Sequence, residues 1–313
     1  MDCTAATVGN LKLDDYVAAV TAIYARHDRN RSLWDVWCHA QHHAAAIAEE
    51  VRKGLLSPRN DKTLQEIADF SLWFFSMLAK LQEVPAEEAG KNYGEQSVIR
   101  ISASASQLMW NRYPYVCPLC RLPSCACGPE HLRRKKAKGR EHKRAIETRR
   151  LARESSNTMP ASIDQWQEMI VSIYRERLKQ LEVANIVLHL LEEMGEVSDA
   201  LVRMYTYVGS IPSDEPRPRQ IRLEDELADT LSLLFGLVGR LRMDIHDGTA
   251  KDAMRLSQIL WQKYGSEAYK SFWCRHCKST VCSCAIIFAR SETQVQEILQ
   301  ALRIGLPTEK LGE

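Results

Sequence analysis

Long hydrophobic runs are missing from this 313-residue chain. Its longest apolar stretches, such as residues 231–238, fall well short of the roughly 20 residues a bilayer-spanning helix needs, so no membrane partner is expected. Met1 to Leu13 has no basic-then-apolar leader, and a cytoplasmic location is expected. Alternating Val/Ile/Thr-rich segments are nearly absent, which argues against a sheet. There is no G-x-x-x-x-G-K loop, no G-x-G-x-x-G and no nucleophile elbow. The usual phosphate loop, dinucleotide fold and serine hydrolase are thereby excluded. Charge imbalance is small as well, +2 from 42 Lys/Arg against 40 Asp/Glu, so the whole molecule is no polycation.

What the chain does have is 45% hydrophobic content and a length that suits two domains. Its clearest helical patterns flank a polar, proline-containing connection. Val187, Leu190, Leu191, Met194, Val197 and Leu201 recur at three- and four-residue steps, as do Leu227, Leu231, Leu234, Val238 and Leu241. Beside the first stripe stand Glu193 and Glu196, and beside the second stand Glu226 and Asp229. A three-residue step places both acids on one helix face, one turn apart. Antiparallel packing would bring four carboxylates to the edge of a hydrophobic core. Like charges that close do not all stay ionised without a cation. Hard oxygen ligands around a partly open site suit Mg²⁺ or Mn²⁺, with phosphate as the usual companion. The bland reading of the same spacing is a solvated acidic face.

The pattern Glu192-Glu193-Met194-Gly195-Glu196, then 29 residues, then Glu226-Leu227-Ala228-Asp229 resembles the signature of the MazG-like, all-α nucleoside triphosphate pyrophosphohydrolases. The resemblance implies an all-α fold and Mg²⁺-dependent conversion of a nucleoside triphosphate to the monophosphate plus pyrophosphate. Glu193, Glu196, Glu226 and Asp229 would hold the metal, with Glu192 assisting. Asn185 and His189, on the same helix face as Glu193, are candidates for nucleobase or sugar contact. The W-Q-K-Y element makes Lys263 the phosphate-binding candidate by resemblance, although Leu260 stands where the family often has an asparagine. Members of this superfamily build their sites between helices of paired subunits. The two halves are therefore expected to form an intramolecular pseudo-dimer, itself compatible with homodimerisation.

An internal duplication underlies that expectation. V-T-A-I-Y (Val20 to Tyr24) matches I-V-S-I-Y (Ile170 to Tyr174). The Glu49-Glu50 pair aligns with Glu192-Glu193, and Q-E-I-A-D with D-E-L-A-D. The expected organisation is a degenerate MazG-like unit with a zinc knuckle over 1–129, a basic helical linker over 130–157, and an intact unit with a second knuckle and a C-terminal helix over 158–313. In the first unit Glu50, Glu66 and Asp69 match three of the acids, but Lys53 replaces Glu196. An ammonium there would act as internal counter-ion and repel a cation.

Both units end in C-x2-C-x4-C-x-C: Cys117, Cys120, Cys125, Cys127, and Cys274, Cys277, Cys282, Cys284. Four thiolates at this spacing suit tetrahedral Zn²⁺, so two structural zinc sites are expected, with redox or iron–sulfur chemistry as alternatives. His131 or His276 could replace one sulfur. Residues 130–154 carry 11 Lys/Arg against 4 Glu. That is a solvated linker helix or, alternatively, a weak, salt-sensitive and sequence-blind nucleic-acid contact. The competing functional class is thus a nucleotide- or nucleic-acid-binding regulator on a degenerate scaffold. Ser291 and Gln294 resemble a capping box opening a last helix over 292–303.

Overall fold

A computed structural model describes residue 4 and residues 7–28, 31–82, 101, 103–127, 140–206, 216–245 and 254–284. Among them the chain is helical apart from one two-residue hairpin, β1 (Gly265–Ser266) with β2 (Ser271–Phe272). Nine α-helices follow in order: α1 (Leu13–Asp28), α2 (Leu33–Arg52), α3 (Asp61–Gln82), α4 (Ala105–Arg112), α5 (Arg140–Glu154), α6 (Ile163–Gln180), α7 (Val183–Thr206), α8 (Pro216–Met243) and α9 (Leu256–Tyr264). No helix among the described residues is long and apolar enough to cross a membrane. The expected 292–303 helix, His131 and the proline-containing connection around Pro212 lie outside the described residues.

Local chemistry sets the helix starts. Ser32 and Asp35 form a reciprocal capping box at α2, the Ser32 hydroxyl accepting from Asp35 N at 3.0 Å. Ser104 and Ser162 cap α4 and α6 with the hydroxyl alone, accepting from Gln107 N and Gln165 N. Pro216 opens α8, where a missing N–H costs nothing. The two apolar stripes read from the sequence are buried apart from half-buried Leu191, with Leu190, Val197, Leu201, Leu234 and Val238 fully so. Each such side chain contributes about 1.5–3 kcal/mol.

The element order repeats, α1–α4 and then α6–α9, and so do the contacts. Within each half the third helix packs on the first two: α3 on α1 and α2, α8 on α6 and α7. The halves meet where α2 packs on α7, with Trp37 Nε1 donating to Ser198 Oγ at 2.8 Å. The short fourth helices cross over: α4 packs on α8 and α9 packs on α3. Each stays tethered to its own half by an aspartate, Asp14 accepting from Ser104 and Ser106, Asp164 from Arg255 and Ser257. One continuous core therefore runs through both halves. Helix α5 is also no free connection. It packs on α4 and α8, buries Ala145, Thr148 and Ala152, and accepts Trp110 Nε1 at the Ala152 carbonyl at 3.0 Å.

Candidate carboxylate site and cysteine clusters

Helices α7 and α8 bring Glu193, Glu196 and Glu226 together, one oxygen from each lying within 4.8 Å of the others. Glu193 and Glu226 are buried and Glu196 half-buried. Burial first, then Asp229, Glu196 and Glu193, push the Glu226 carboxyl up to about 10. At neutral pH and without a cation it therefore holds a proton. Three oxygen donors at this separation fit a hard divalent ion.

Asp229 stands one turn along but is already engaged. Arg112, the last residue of α4, donates to it twice, Nε to Oδ1 at 2.8 Å and Nη2 to Oδ2 at 2.6 Å. Tyr113 Oη donates to Asp229 Oδ1 at 2.6 Å and accepts from Ser232 Oγ at 2.9 Å. Burial opposes the Arg112 charge, but Asp229 and Asp225 outweigh it and hold the guanidinium pKa well above its ordinary value. The expected quartet is thus a triad beside an arginine-bound aspartate.

A cavity of about 540 Å³ opens against Glu193, Glu196 and Asp229. Its apolar walls include Leu178, Leu181, Ile186 and Leu233, and Arg112 reaches it from the first half. His189 lines it, with Nδ1 3.1 Å from Glu192 Oε2, and exposed Glu192 stands at the rim. Asn185 is exposed and is not among the lining residues. A second hollow of about 700 Å³, beside Tyr115, Asp164 and Arg255, holds an ion pair and gathers no carboxylate cluster.

Comparison with family models, curated proteins and solved structures finds no match to this chain. Its chemistry must be argued from its own residues.

Lys263 is placed away from the triad. Its ammonium pairs with Asp61 at the start of α3, and the next residue, Tyr264, donates to Asp69. The side chains that reach the C-terminal site come instead from Arg112 and Tyr113 of the first half. The signal for them was present. Trp110-Asn111-Arg112-Tyr113 repeats Trp261-Gln262-Lys263-Tyr264 ahead of each cysteine cluster. The crossing of α4 and α9 decides which site each element serves.

The first half assembles different chemistry. Glu50 is held by Lys62 Nζ at 3.0 Å and Asn60 Nδ2 at 3.2 Å. Lys53 lies 4.0 Å away, its side chain 38% exposed, so Lys62 is the nearer counter-ion. Glu66 and Asp69 gather around His43, whose Nδ1 is 2.8 Å from Glu66 Oε2, and Arg275 sits 3.6 Å from Asp69. At the positions of Leu178, Leu233 and Gly236 this half carries Asp28, Trp73 and Ser76. Ser76 donates to Asp28 at 2.9 Å and Trp73 stacks on His39. These contacts occupy the space that the second half lines with apolar groups.

Both cysteine clusters bring four sulfurs within 4.8 Å of one another and could hold a metal such as zinc. Zn–S bonds of about 2.3 Å set tetrahedral sulfurs about 3.8 Å apart. Cys117–Cys127 and Cys274–Cys284 lie at 3.8 and 3.6 Å, and none of the eight is in a disulfide. The knuckle backbones coincide. Arg121 and Lys278, both at positive φ, donate to the Cys117 and Cys274 carbonyls at 2.7 and 2.8 Å. Each knuckle docks on the other half, Cys125 N donating to the Ile173 carbonyl and Cys282 N to the Ile23 carbonyl. His276 is exposed, and the imidazole beside the second cluster is His27, 3.1 Å from Cys282 Sγ.

Within the described part of the basic segment, Arg149 is paired inside the fold and Arg150 at its surface. Arg149 pairs with Asp225 at 2.7 Å and Glu224 at 3.1 Å, and Arg150 with Glu147 and Glu154.

Proposed function

We propose that the chain is a Mg²⁺- or Mn²⁺-dependent nucleoside triphosphate pyrophosphohydrolase of the MazG-like type, with its working site in the C-terminal half. The observation that carries this reading is the meeting of Glu193, Glu196 and Glu226 within 4.8 Å, beside a cavity of about 540 Å³. A site of that size suits a nucleoside.

Glu193, Glu196 and Glu226 would hold the cation, Glu226 giving up its proton as it does so. The bound ion would supply charge neutralisation at the phosphates and a water of lowered pKa. Arg112 brings a fixed positive charge to the same cavity, where it offsets phosphate charge, and Asp229 and Tyr113 fix its orientation. Leu178, Leu181, Ile186 and Leu233 give the base an apolar surface and exclude water from that end. Glu192 and His189, hydrogen-bonded at the rim, are placed to exchange protons with solvent. The two halves act as an intramolecular pair in which the first completes the second. The regulator reading draws less support, because α5 packs into the core and its Arg149 is engaged by Glu224 and Asp225 there.

The test is a pyrophosphate-release assay over ribo- and deoxyribonucleoside triphosphates with Mg²⁺, on wild type, Glu196→Gln and Glu226→Gln. Both variants should lose turnover by about two orders of magnitude or more. Turnover unchanged in both would remove these residues from the chemistry.

A further inference from the structure

The first cysteine cluster belongs to the N-terminal half in sequence, yet it stands at the C-terminal site. The two residues between Cys117 and Cys120 are Pro118 and Leu119, and both line the cavity that Glu193, Glu196 and Asp229 border. We propose that this knuckle is a wall of the substrate pocket supplied in trans, so that ligand binding in the C-terminal half depends on metal held by the N-terminal half's cysteines. The proposal rests on the pyrophosphohydrolase reading for its ligand, and on the knuckle geometry for everything else.

The physical case starts from size. Eleven residues, Cys117 to Cys127, make no core of their own, and a turn this short is ordinarily held by its metal. Cys117 N donates to the Leu122 carbonyl at 3.0 Å and Arg121 N to the Cys117 carbonyl at 2.7 Å. These bonds close the turn that presents Pro118 and Leu119. Arg121 adopts φ 62 to allow it, a conformation unfavourable for residues other than glycine and one the four sulfurs can enforce. The knuckle is fixed to the site from two directions. Cys125 N donates to the Ile173 carbonyl of α6 at 2.7 Å. Tyr174 Oη, the next residue, lies 3.8 Å from Cys117 Sγ, and its ring meets Tyr113 edge-on with centroids 6.3 Å apart. Tyr113 then donates to Asp229. A continuous path of contacts thus joins a metal-ligating sulfur to the aspartate that orients Arg112. Loss of the metal would leave four thiols with no reason to converge, and Pro118, Leu119 and Tyr113 would lose their common anchor.

The second cluster is an internal control. It repeats the same turn and docks on Ile23 by the same hydrogen bond. Between Cys274 and Cys277, however, stand Arg275 and His276, neither of which lines the cavity.

The experiment compares Cys120→Ser, Cys277→Ser and Leu119→Trp in the full-length chain. The readouts are zinc content and the equilibrium affinity, in Mg²⁺, for the α,β-methylene analogue of whichever triphosphate the wild type hydrolyses fastest. Cys120→Ser and Cys277→Ser should each lose about one zinc per chain. Only Cys120→Ser should weaken analogue binding by about tenfold or more, while Cys277→Ser stays within about twofold of wild type. Leu119→Trp should keep both zincs and lose about tenfold in affinity by filling the pocket, which decides the matter if Cys120→Ser does not fold. Wild-type affinity in Leu119→Trp, or equal weakening by the two serine variants, overturns the proposal. A wild type that hydrolyses no triphosphate overturns the functional reading instead. The wall is then read without ligand, by hydrogen exchange of the α6 amides from Tyr174 to Gln180, which should quicken in Cys120→Ser alone; equal exchange in both variants again overturns it.

Discussion

Replacing Glu226 by glutamine should make the magnesium-free protein more stable at neutral pH while abolishing its response to the ion. Burial and three neighbouring carboxylates push the Glu226 pKa from 4.5 to about 10. A carboxyl raised on folding binds its proton more tightly in the folded state. Its contribution is complete below the unfolded value and is lost as pH rises toward the folded value. At pH 7 the loss spans about 2.5 pH units at 1.36 kcal/mol each, roughly 3 kcal/mol. The amide carries no titratable proton and escapes that cost. It also forgoes the Arg222 Nε contact at 3.5 Å, a partly exposed pairing worth at most about 1 kcal/mol. The net gain expected is therefore about 2 kcal/mol at pH 7, shrinking to nothing near pH 4.5. Urea unfolding at pH 5, 6, 7 and 8, in magnesium-free buffer that leaves the cysteine-bound metal in place, measures it. Saturating Mg²⁺ should then stabilise the wild type and leave the variant unmoved. A variant less stable than wild type at pH 7, or a difference that does not change with pH, would refute the reasoning.

Four further outcomes follow from the same geometry. Mg²⁺ or Mn²⁺ binding at pH 7 should release about one proton per site, from Glu226, seen as a dependence of calorimetric heat on buffer ionisation enthalpy. Arg112→Ala should cost about 3–5 kcal/mol, because it strands Asp229 without its bidentate partner, and Arg112→Lys should recover only part of that; chemical denaturation reads both. Lys263→Ala should leave pyrophosphate release far less affected than Arg112→Ala, since the Lys263 ammonium is on Asp61; equal losses would return Lys263 to the site. Metal analysis of the purified chain should find about two zinc ions, bound by the eight clustered cysteines.

Much of this was legible in the sequence, because periodicity and spacing are local. The stripes from Val187 to Leu201 and Leu227 to Leu241 fixed which faces of α7 and α8 are buried, and the three-residue steps set Glu193, Glu196 and Glu226 on the edge of those faces. The cysteine spacing carried enough geometry to bring four sulfurs together twice. What local pattern does not carry is the partner of a short crossing helix. Trp110-Asn111-Arg112-Tyr113 and Trp261-Gln262-Lys263-Tyr264 share one pattern, and each precedes its own cysteine cluster. Nothing within either stretch says whether it returns to its own third helix or crosses to the other half. Lys53 misled for a related reason. Its charge was right for neutralising Glu50, but Lys62 in the first turn of α3 comes closer, with Asn60 just before that helix. The imidazole among the first-half acids comes from His43, at the position of an apolar residue, Ile186, in the second half.

The crossing also bears on why a half with diverted acids would stay in the chain. Hosting a site and completing one fall to different helices. The host residues sit on the second and third helices of a half, and the completing residues on its fourth helix and knuckle. In the first half the host positions have changed: Glu50 is tied to Lys62, His43 stands between Glu66 and Asp69, and Trp73 and Ser76 occupy the pocket positions. Its completing residues, Arg112, Tyr113, Pro118 and Leu119, all face the other half's cavity. The reverse contributions, Lys263, Tyr264 and Arg275, fall on Asp61 and Asp69, where they neutralise acids. The different residues at the first half's host positions therefore leave its completing residues at the second cavity. Deletion of the first half would instead remove the guanidinium on Asp229 and one wall of the cavity together. A segment over 158–313 keeps all three clustered glutamates and still lacks the arginine that the proposed chemistry sets against the phosphates.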